Sequence, residues 1–267
     1  MAFVNVDGER IYYEDSGGSL PAVVLLHGFL LDRTMWSPAV ASLSGRYRCI
    51  TVDTRGHGLS SATTEFTCWD TARDVVAVLD RLDIERATVA GLSQGGWTAL
   101  RTVLSYPERV NGLVLVSTSV LPFDPALGAG FSQMRDAWVT SGPLGEVLEA
   151  NLASQFGPGD AAVHHDWVLR WQARTPAAWS NPWSAIIERI NEPDLTPRLA
   201  EVACPTAFVH GSDDLAFSVE TAEAGNKLFS DGRGVTVING AAHASAVTHP
   251  REVGEALERI LADFHRG

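Results

Sequence analysis

A serine flanked by two glycines is the feature of this sequence with the clearest chemistry. Residues 87–97 form an apolar run that turns at Ser93 into a helical pattern, with Gly91 and Gly95 two positions to either side. Glycines suit such a position because a tight strand-to-helix turn leaves no room for neighbouring Cβ atoms. A serine at a helix N-terminus also faces unpaired backbone N–H groups, which favour a developing oxyanion. The spacing therefore predicts a serine nucleophile that attacks a carbonyl carbon.

Such a serine needs a base, and the base needs an acceptor that orients it. His243 is the preferred base because it lies in a loop of small residues after an apolar strand, and a loop at a strand's carboxyl end can project into a site. His210, the last residue of an earlier strand, is a weaker rival. Asp213 and Asp214 follow that strand, and either carboxylate could orient the histidine.

Strands and amphipathic helices alternate along the chain and must position these residues. Helical periodicity is clearest at residues 71–82 and 251–264. Strand-like runs occur at residues 4–6, 11–14, 23–26, 48–52, 88–90, 112–116, 206–210 and 235–238. Apolar strands that alternate with such helices predict an α/β fold with a mostly parallel, eight-stranded sheet flanked by helices. The first two strands suit an antiparallel hairpin.

The alternation is interrupted between residues 121 and 198, where strand patterns disappear and five of the eight tryptophans occur. We predict a helical cap over residues 121–198, inserted into a core of residues 1–120 and 199–267. Trp167 and Trp171 are four residues apart and share a helix face. Packing of the cap onto the core is the favoured explanation for them, and an aromatic wall for substrate is the alternative. The candidate substrate contacts are Trp97, Trp167 and Trp171.

Composition limits the classes of partner. The chain has 267 residues, 45% of them apolar, and a net charge of −12. An acidic protein lacks the basic surface that nucleic acids and anionic membranes require, so a small-molecule substrate is expected. The first residues lack a signal-peptide pattern, and we expect a cytoplasmic protein. Three cysteines without a C-x-x-C pair suggest neither a disulfide framework nor a zinc site, and no metal or cofactor is expected. The oligomeric state is left open.

Together with the serine turn, further motifs make nearly the whole chain resemble the α/β-hydrolase superfamily. The segment His27-Gly28-Phe29 resembles the superfamily's oxyanion loop, which implies that the backbone N–H groups of Phe29 and Gln94 would form the oxyanion hole. Residues 53–60 resemble a D-x-R-G-x-G-x-S turn of structural importance, which implies that His57 is not the base. The resemblance thus predicts the α/β-hydrolase fold with a helical cap.

The resemblance also implies an assignment of the catalytic residues. The order Ser, Asp, His along the chain is that of the superfamily. Its acid commonly stands three residues after a glycine, which favours Asp214 over Asp213, and its histidine commonly follows a loop of small residues, as His243 does. The segment after Asp214 lacks the proline often found there. The implied triad is Ser93, Asp214 and His243.

The reaction class implied is hydrolysis of a carboxylic ester or lactone through an acyl-enzyme. A serine at position 93 argues against dehalogenases and epoxide hydrolases, which place an aspartate there. The chain is most similar to small esterases, enol-lactonases and cofactor-free perhydrolases of the haloperoxidase type. We expect a small to medium, largely apolar substrate. A C–C bond hydrolase or a perhydrolase with the same triad, and a ligand-binding protein that retains the fold without catalysis, are the alternatives.

Overall fold

An eight-stranded sheet forms the centre of the protein. The computed structural model describes residues 2–157 and 161–266. The strands are β1 (Ala2–Val6), β2 (Glu9–Asp15), β3 (Ala22–Leu26), β4 (Arg48–Val52), β5 (Ala87–Leu92), β6 (Val110–Val116), β7 (Thr206–Gly211) and β8 (Gly232–Ile238), in the order β1-β2-β4-β3-β5-β6-β7-β8. The first two strands form an antiparallel hairpin, β2 pairs antiparallel with β4, and the other pairs are parallel. The predicted mostly parallel sheet is confirmed.

Helices cover both faces of this sheet. Within the described residues they are α1 (Ser37–Leu43), α2 (Cys68–Arg81), α3 (Gln94–Ser105), α4 (Pro125–Ser141), α5 (Gly145–Phe156), α6 (Ala161–Gln172), α7 (Ser180–Asn191), α8 (Val219–Asn226), α9 (Ser245–Thr248) and α10 (Pro250–Phe264). Helix α2 begins three residues before the predicted position. Its start is set by a capping box, in which Thr67 accepts from the Asp70 N–H and the Asp70 carboxylate accepts from the Thr67 N–H.

Strand β3 shows why the central strands are apolar without interruption. All five of its residues are buried. Val23 and Leu25 belong to the hydrophobic cluster on one face of the sheet, and Val24 and Leu26 belong to the cluster on the other. Alternate side chains point to opposite faces, so a strand with helices on both sides must be apolar at every position.

The chain between β6 and β7 is helical, with α4 to α7 and no strand among its described residues. Trp138 is the centre of a tryptophan cluster in this segment, with ring centroids 5.7 Å from Trp171, 6.1 Å from Trp179 and 6.4 Å from Trp183. Four of the segment's five tryptophans therefore pack together, in a hydrophobic cluster that also includes residues of the core. We propose that residues 121–198 are a cap on the rest of the chain.

A buried ion pair attaches the end of α7 to the sheet-covering helices. Glu192, the residue after α7, pairs with Arg101 of α3, and both side chains are almost completely buried. The indole Nε1 of Trp69, in α2, donates to Glu192 Oε1 at 2.8 Å. These contacts fix the point where the chain leaves the helical segment.

Across the described residues, none of the helices combines the length and apolar character that a bilayer crossing requires.

Candidate active site

Ser93 occupies a strained turn between β5 and α3. Its backbone has φ 53° and ψ −114°, a region that residues with a side chain rarely adopt. The turn is held on both sides, because the Ser93 N–H donates to Val116 O at 2.9 Å and Ser93 O accepts from the N–H groups of Gly96 and Trp97. Strain of this kind persists only where surrounding structure enforces it, and it is common at functional sites.

The two flanking glycines are sterically required. A Cβ on Gly91 would lie 2.1 Å from the carbonyl carbon and oxygen of Gly95. A Cβ on Gly95 would lie 2.4 Å from Leu26 O and 2.6 Å from His27 O. Both approaches are to backbone atoms that cannot rotate away, so helix α3 can lie this close to β3 and β5 only with glycine at these positions.

His243 and Asp214 form a buried pair. His243 Nδ1 lies 2.9 Å from Asp214 Oδ2 and 3.1 Å from Oδ1. The carboxylate Oδ1 also accepts from the backbone N–H groups of Ala216 at 2.8 Å and Phe217 at 3.1 Å. Asp213, by contrast, is exposed. Of the two adjacent carboxylates left open by the residues alone, the geometry therefore brings Asp214 to the histidine.

His210 is a second histidine on the same carboxylate, a role that the sequence did not indicate. It is completely buried, and its Nε2 lies 2.8 Å from Phe217 O and 3.3 Å from Asp214 Oδ2. Because a carbonyl oxygen only accepts, Nε2 carries the hydrogen. Burial raises the pKa of Asp214, but the nearby His243 and the hydrogen bonds from both histidines outweigh it and hold that pKa well below its usual range. The feature of the sequence that could have indicated this contact is the spacing of four residues between His210 and Asp214.

A single cavity of about 380 Å³ contains Ser93 and His243. It lies between the loops that carry these residues and the helices α4, α5 and α7. Most of its lining is apolar, including Phe29, Trp97, Leu127, Phe131, Met134, Trp183 and Ile186. Among the described residues that line it, none is Asp, Glu, Lys or Arg. Trp97 is part of this wall, and its role as a substrate contact stays a prediction.

The two proposed oxyanion-hole residues follow different strands of the sheet. Phe29 follows β3 and lines the cavity, and Gln94 is the first residue of α3. Within the described part of the chain, neither backbone N–H donates a hydrogen bond to the protein. The Phe29 ring packs against Trp183, with 4.5 Å between ring centroids, which fixes the loop under α7. Both N–H groups are therefore unpaired within the described part of the chain, and of the two residues only Phe29 is among those that line the cavity.

His57 and His27 accept hydrogen bonds from the backbone of the oxyanion loop and of the neighbouring structural turn. The Leu30 N–H donates to His57 Nε2 at 3.3 Å, and the Thr54 N–H donates to His27 Nε2 at 3.0 Å. Burial, together with the neighbouring His27, holds the pKa of His57 well below its usual value, and burial also lowers the pKa of His27. Neither histidine lines the cavity. Their positions give them a structural role, in line with the interpretation of residues 53–60 as a structural turn.

Trp167 and Trp171 do not line this cavity, which corrects their assignment as substrate contacts. Trp171 is buried, and its Nε1 donates to Leu30 O at 2.6 Å. Trp167 is also buried, beneath the guanidinium of Arg170, which is paired with Asp32 at 2.6 Å. Both indoles therefore pack where α6 meets the loop after β3. Their large apolar surface is used in packing the helical segment onto the core.

Comparisons with known proteins agree with this architecture. Residues 21–250 match the family model described as alpha/beta hydrolase fold. The chain is 29% identical to a pimeloyl-[acyl-carrier protein] methyl ester esterase of Aeromonas hydrophila, over 91% of this chain and 96% of that protein. It is 26% identical to 3-oxoadipate enol-lactonase 2 of Acinetobacter baylyi, over 92% of this chain and 90% of that protein.

A solved structure of an esterase has the same fold. The structure of a thermophilic esterase from Thermogutta terrifontis superposes with a TM-score of 0.84 at 26% identity, covering 98% of this chain and 97% of that one. The sheet order, the serine turn and the matched segment together show that this chain belongs to the alpha/beta hydrolase fold family.

Proposed function

We propose that the protein is a serine hydrolase that cleaves a carboxylic ester or lactone. The observation that carries the proposal is the convergence on one apolar cavity of a serine on a strained turn and a histidine oriented by a buried carboxylate. The similarity to an esterase and to an enol-lactonase supports the ester or lactone bond as the target.

The proposed reaction proceeds through an acyl-enzyme. Ser93 Oγ attacks the carbonyl carbon while His243 Nε2 accepts the hydroxyl proton. Asp214 accepts from His243 Nδ1–H, which leaves Nε2 unprotonated for this task and stabilises the imidazolium that forms. His243 then donates the proton to the leaving alcohol. A water molecule, activated by the same histidine, hydrolyses the acyl-enzyme and releases the acid.

The N–H groups of Phe29 and Gln94 would stabilise the oxyanion of the tetrahedral intermediate. Gln94 contributes through its place at the start of α3, where the N–H groups of the first turn have no partner within the helix. Loss of one such donor typically costs about 3 kcal/mol of transition-state stabilisation.

The cavity favours a small to medium, largely apolar substrate. Its volume of about 380 Å³ is at the lower end of the range of small-molecule sites. The lining offers no permanently charged side chain to a substrate carboxylate or ammonium group among its described residues. Burial of such a charge without a partner would be costly, so the substrate is neutral where it fills the cavity.

Hydrolysis of 4-nitrophenyl esters and simple lactones, with fluorophosphonate labelling, tests the proposal. We expect Ser93→Ala to lose labelling and at least about a thousandfold in kcat/KM, because the nucleophile is removed. The matched control is Ser105→Ala, at the exposed far end of the same helix, which should behave as the wild type. Wild-type ester turnover by purified Ser93→Ala would show that the assignment is wrong.

A further inference from the structure

A groove lies beside the catalytic cavity, between the segment after β6 and the loop after β7. Its volume is about 490 Å³. Leu127, Leu215 and Ala216 line both the groove and the catalytic cavity. The two spaces therefore meet at these three residues, and a molecule that extends beyond the cavity on this side enters the groove.

Aromatic rings separate the inner parts of the two spaces. Trp97 is in the wall of the cavity, and Phe123 and Phe217 line the groove. The ring centroid of Trp97 lies 5.6 Å from that of Phe123 and 6.2 Å from that of Phe217. Because these rings pack against one another on the inner side, the passage between the two spaces lies on the solvent side, where Leu215 is.

Leu215 is the most exposed large apolar residue in the described part of the chain. Its exposed fraction is 73%, and the next most exposed, Leu144, has 57%. A single exposed leucine is common on protein surfaces and by itself indicates nothing. Leu215, however, directly follows Asp214 and lines the cavity that contains Ser93. An apolar chain on the substrate would cover this side chain and so remove its surface from water.

The lining of the groove suits a neutral, apolar chain. On the side of the segment after β6 it consists largely of Leu121, Pro122 and Phe123. Its charged side chains, among the described residues that line it, are the exposed carboxylate of Asp124 and the buried one of Asp214, and neither lysine nor arginine is present. A chain that ends in a carboxylate would meet like charge there.

We propose that Leu215 is a specificity-determining residue, over which a neutral apolar chain of the substrate passes from the catalytic cavity into the groove. This inference rests on the proposed function and adds the substrate class: an ester or lactone whose acyl or alcohol part carries an apolar chain longer than the cavity accommodates. The contact lies away from the reacting carbonyl, so it stabilises the bound substrate and the transition state equally. It therefore lowers KM and leaves kcat the same.

Two series of esters test the proposal, with acid release followed by titration at constant pH and each ester kept below its solubility limit. Methyl alkanoates from acetate to decanoate lengthen the acyl part. Alkyl acetates from methyl to nonyl acetate lengthen the alcohol part. Methyl acetate begins both series, and members with the same number of carbons are isomers. The comparison therefore identifies which end of the substrate enters the groove.

The variants change the apolar contact and leave the catalytic residues in place. Leu215→Ser removes the contact, and Leu215→Met retains an apolar side chain of similar size. Leu169→Ser is the matched control, because Leu169 is 52% exposed on α6 and lines neither the cavity nor the groove. All three changes are at exposed positions, so the melting temperatures should be those of the wild type.

We expect kcat/KM of the wild type to rise with chain length in at least one series. In Leu215→Ser, the ratio of kcat/KM for the favoured long ester over that for methyl acetate should fall about tenfold, the effect of losing most of one leucine contact. The fall should come from KM, with kcat for the long ester unchanged. Leu215→Met and Leu169→Ser should keep the wild-type ratio.

Three results would overturn the role of Leu215. The first is a wild type that labels with fluorophosphonate and hydrolyses methyl acetate but does not gain with chain length in either series, in which case the serine hydrolase remains and the groove is not used. The second is a wild-type ratio in Leu215→Ser. The third is an equal loss of kcat for every ester, which would assign Leu215 to the support of Asp214. If the wild type neither labels nor hydrolyses any ester, the proposed function fails and this inference with it.

Discussion

Replacement of Asp214 by asparagine should disable the histidine without removing it. Oδ1 of Asp214 accepts from the backbone N–H groups of Ala216 and Phe217. These two donors fix the orientation of an asparagine, since only its carbonyl oxygen can take that place. The amide NH₂ then occupies the position of Oδ2, which lies 2.9 Å from His243 Nδ1 and 3.3 Å from His210 Nε2.

The consequence is a wrong tautomer at the base. An NH₂ group cannot accept from Nδ1–H, and the oxygen that remains, 3.1 Å from Nδ1, already accepts from two backbone N–H groups. The NH₂ group instead donates to Nδ1, so His243 would carry its hydrogen on Nε2, where it could not accept the proton of Ser93. The equivalent replacement in the well-studied triad of a serine protease lowers kcat about 10⁴-fold, which corresponds to about 5 kcal/mol of activation free energy. Because the backbone donors leave the asparagine no alternative orientation, we expect the full effect here.

Steady-state hydrolysis of 4-nitrophenyl butanoate at pH 7 to 8 measures this change. The control is Asp213→Asn, which removes an exposed carboxylate one residue away and should retain wild-type kcat. Circular dichroism of both variants separates a folding defect from a catalytic one. A folded Asp214→Asn protein with kcat within tenfold of the wild type would refute the tautomer argument.

Three further predictions concern stability. Gly95→Ala should lower the free energy of unfolding by about 1 to 3 kcal/mol through backbone clashes, whereas Gly45→Ala, with open space at its Cβ, should not; thermal melts compare them. Glu192→Ala should lower the free energy of unfolding, measured in urea titrations, by about 3 to 5 kcal/mol, because Arg101 is left buried and unpaired. Adding Arg101→Met to the same chain should restore part of this loss, because it removes the unpaired charge. The folded-state pKa of His57 lies below its unfolded value of about 6.5, so the unfolded chain binds more protons than the folded protein in acid. The free energy of unfolding should therefore fall by up to about 2 kcal/mol between pH 6.5 and pH 5. In His57→Gln the fall over the same range should be smaller.

The fold could be predicted largely from the sequence because its two periodicities are clear. Each of the eight strand-like runs lies in an observed strand, and the first two form the expected hairpin. Apolar spacing does not locate a helix boundary that is set by capping hydrogen bonds. Helix α2 begins at its Thr67 capping box, ahead of the first apolar residue of the periodic pattern.

Features of the candidate site that arise from local constraints could be predicted from the sequence. Features that depend on how distant segments of the chain pack together could not. Gly91 and Gly95 mark the serine turn because their steric requirement is local. The pairing of His210 with Asp214 depends on how the loop after β7 folds back. The positions of Trp167 and Trp171 depend on how α6 docks against the loop after β3. Periodicity assigns such side chains to a helix face but does not identify what that face contacts.

If Ser93 is the activated nucleophile, peptide mass mapping should find a fluorophosphonate adduct on this residue. We expect one adduct per chain, on the peptide that carries Ser93, formed slowly or not at all in Asp214→Asn and in His243→Gln. An adduct on another residue, or labelling of Ser93 at an unchanged rate in both variants, would contradict it.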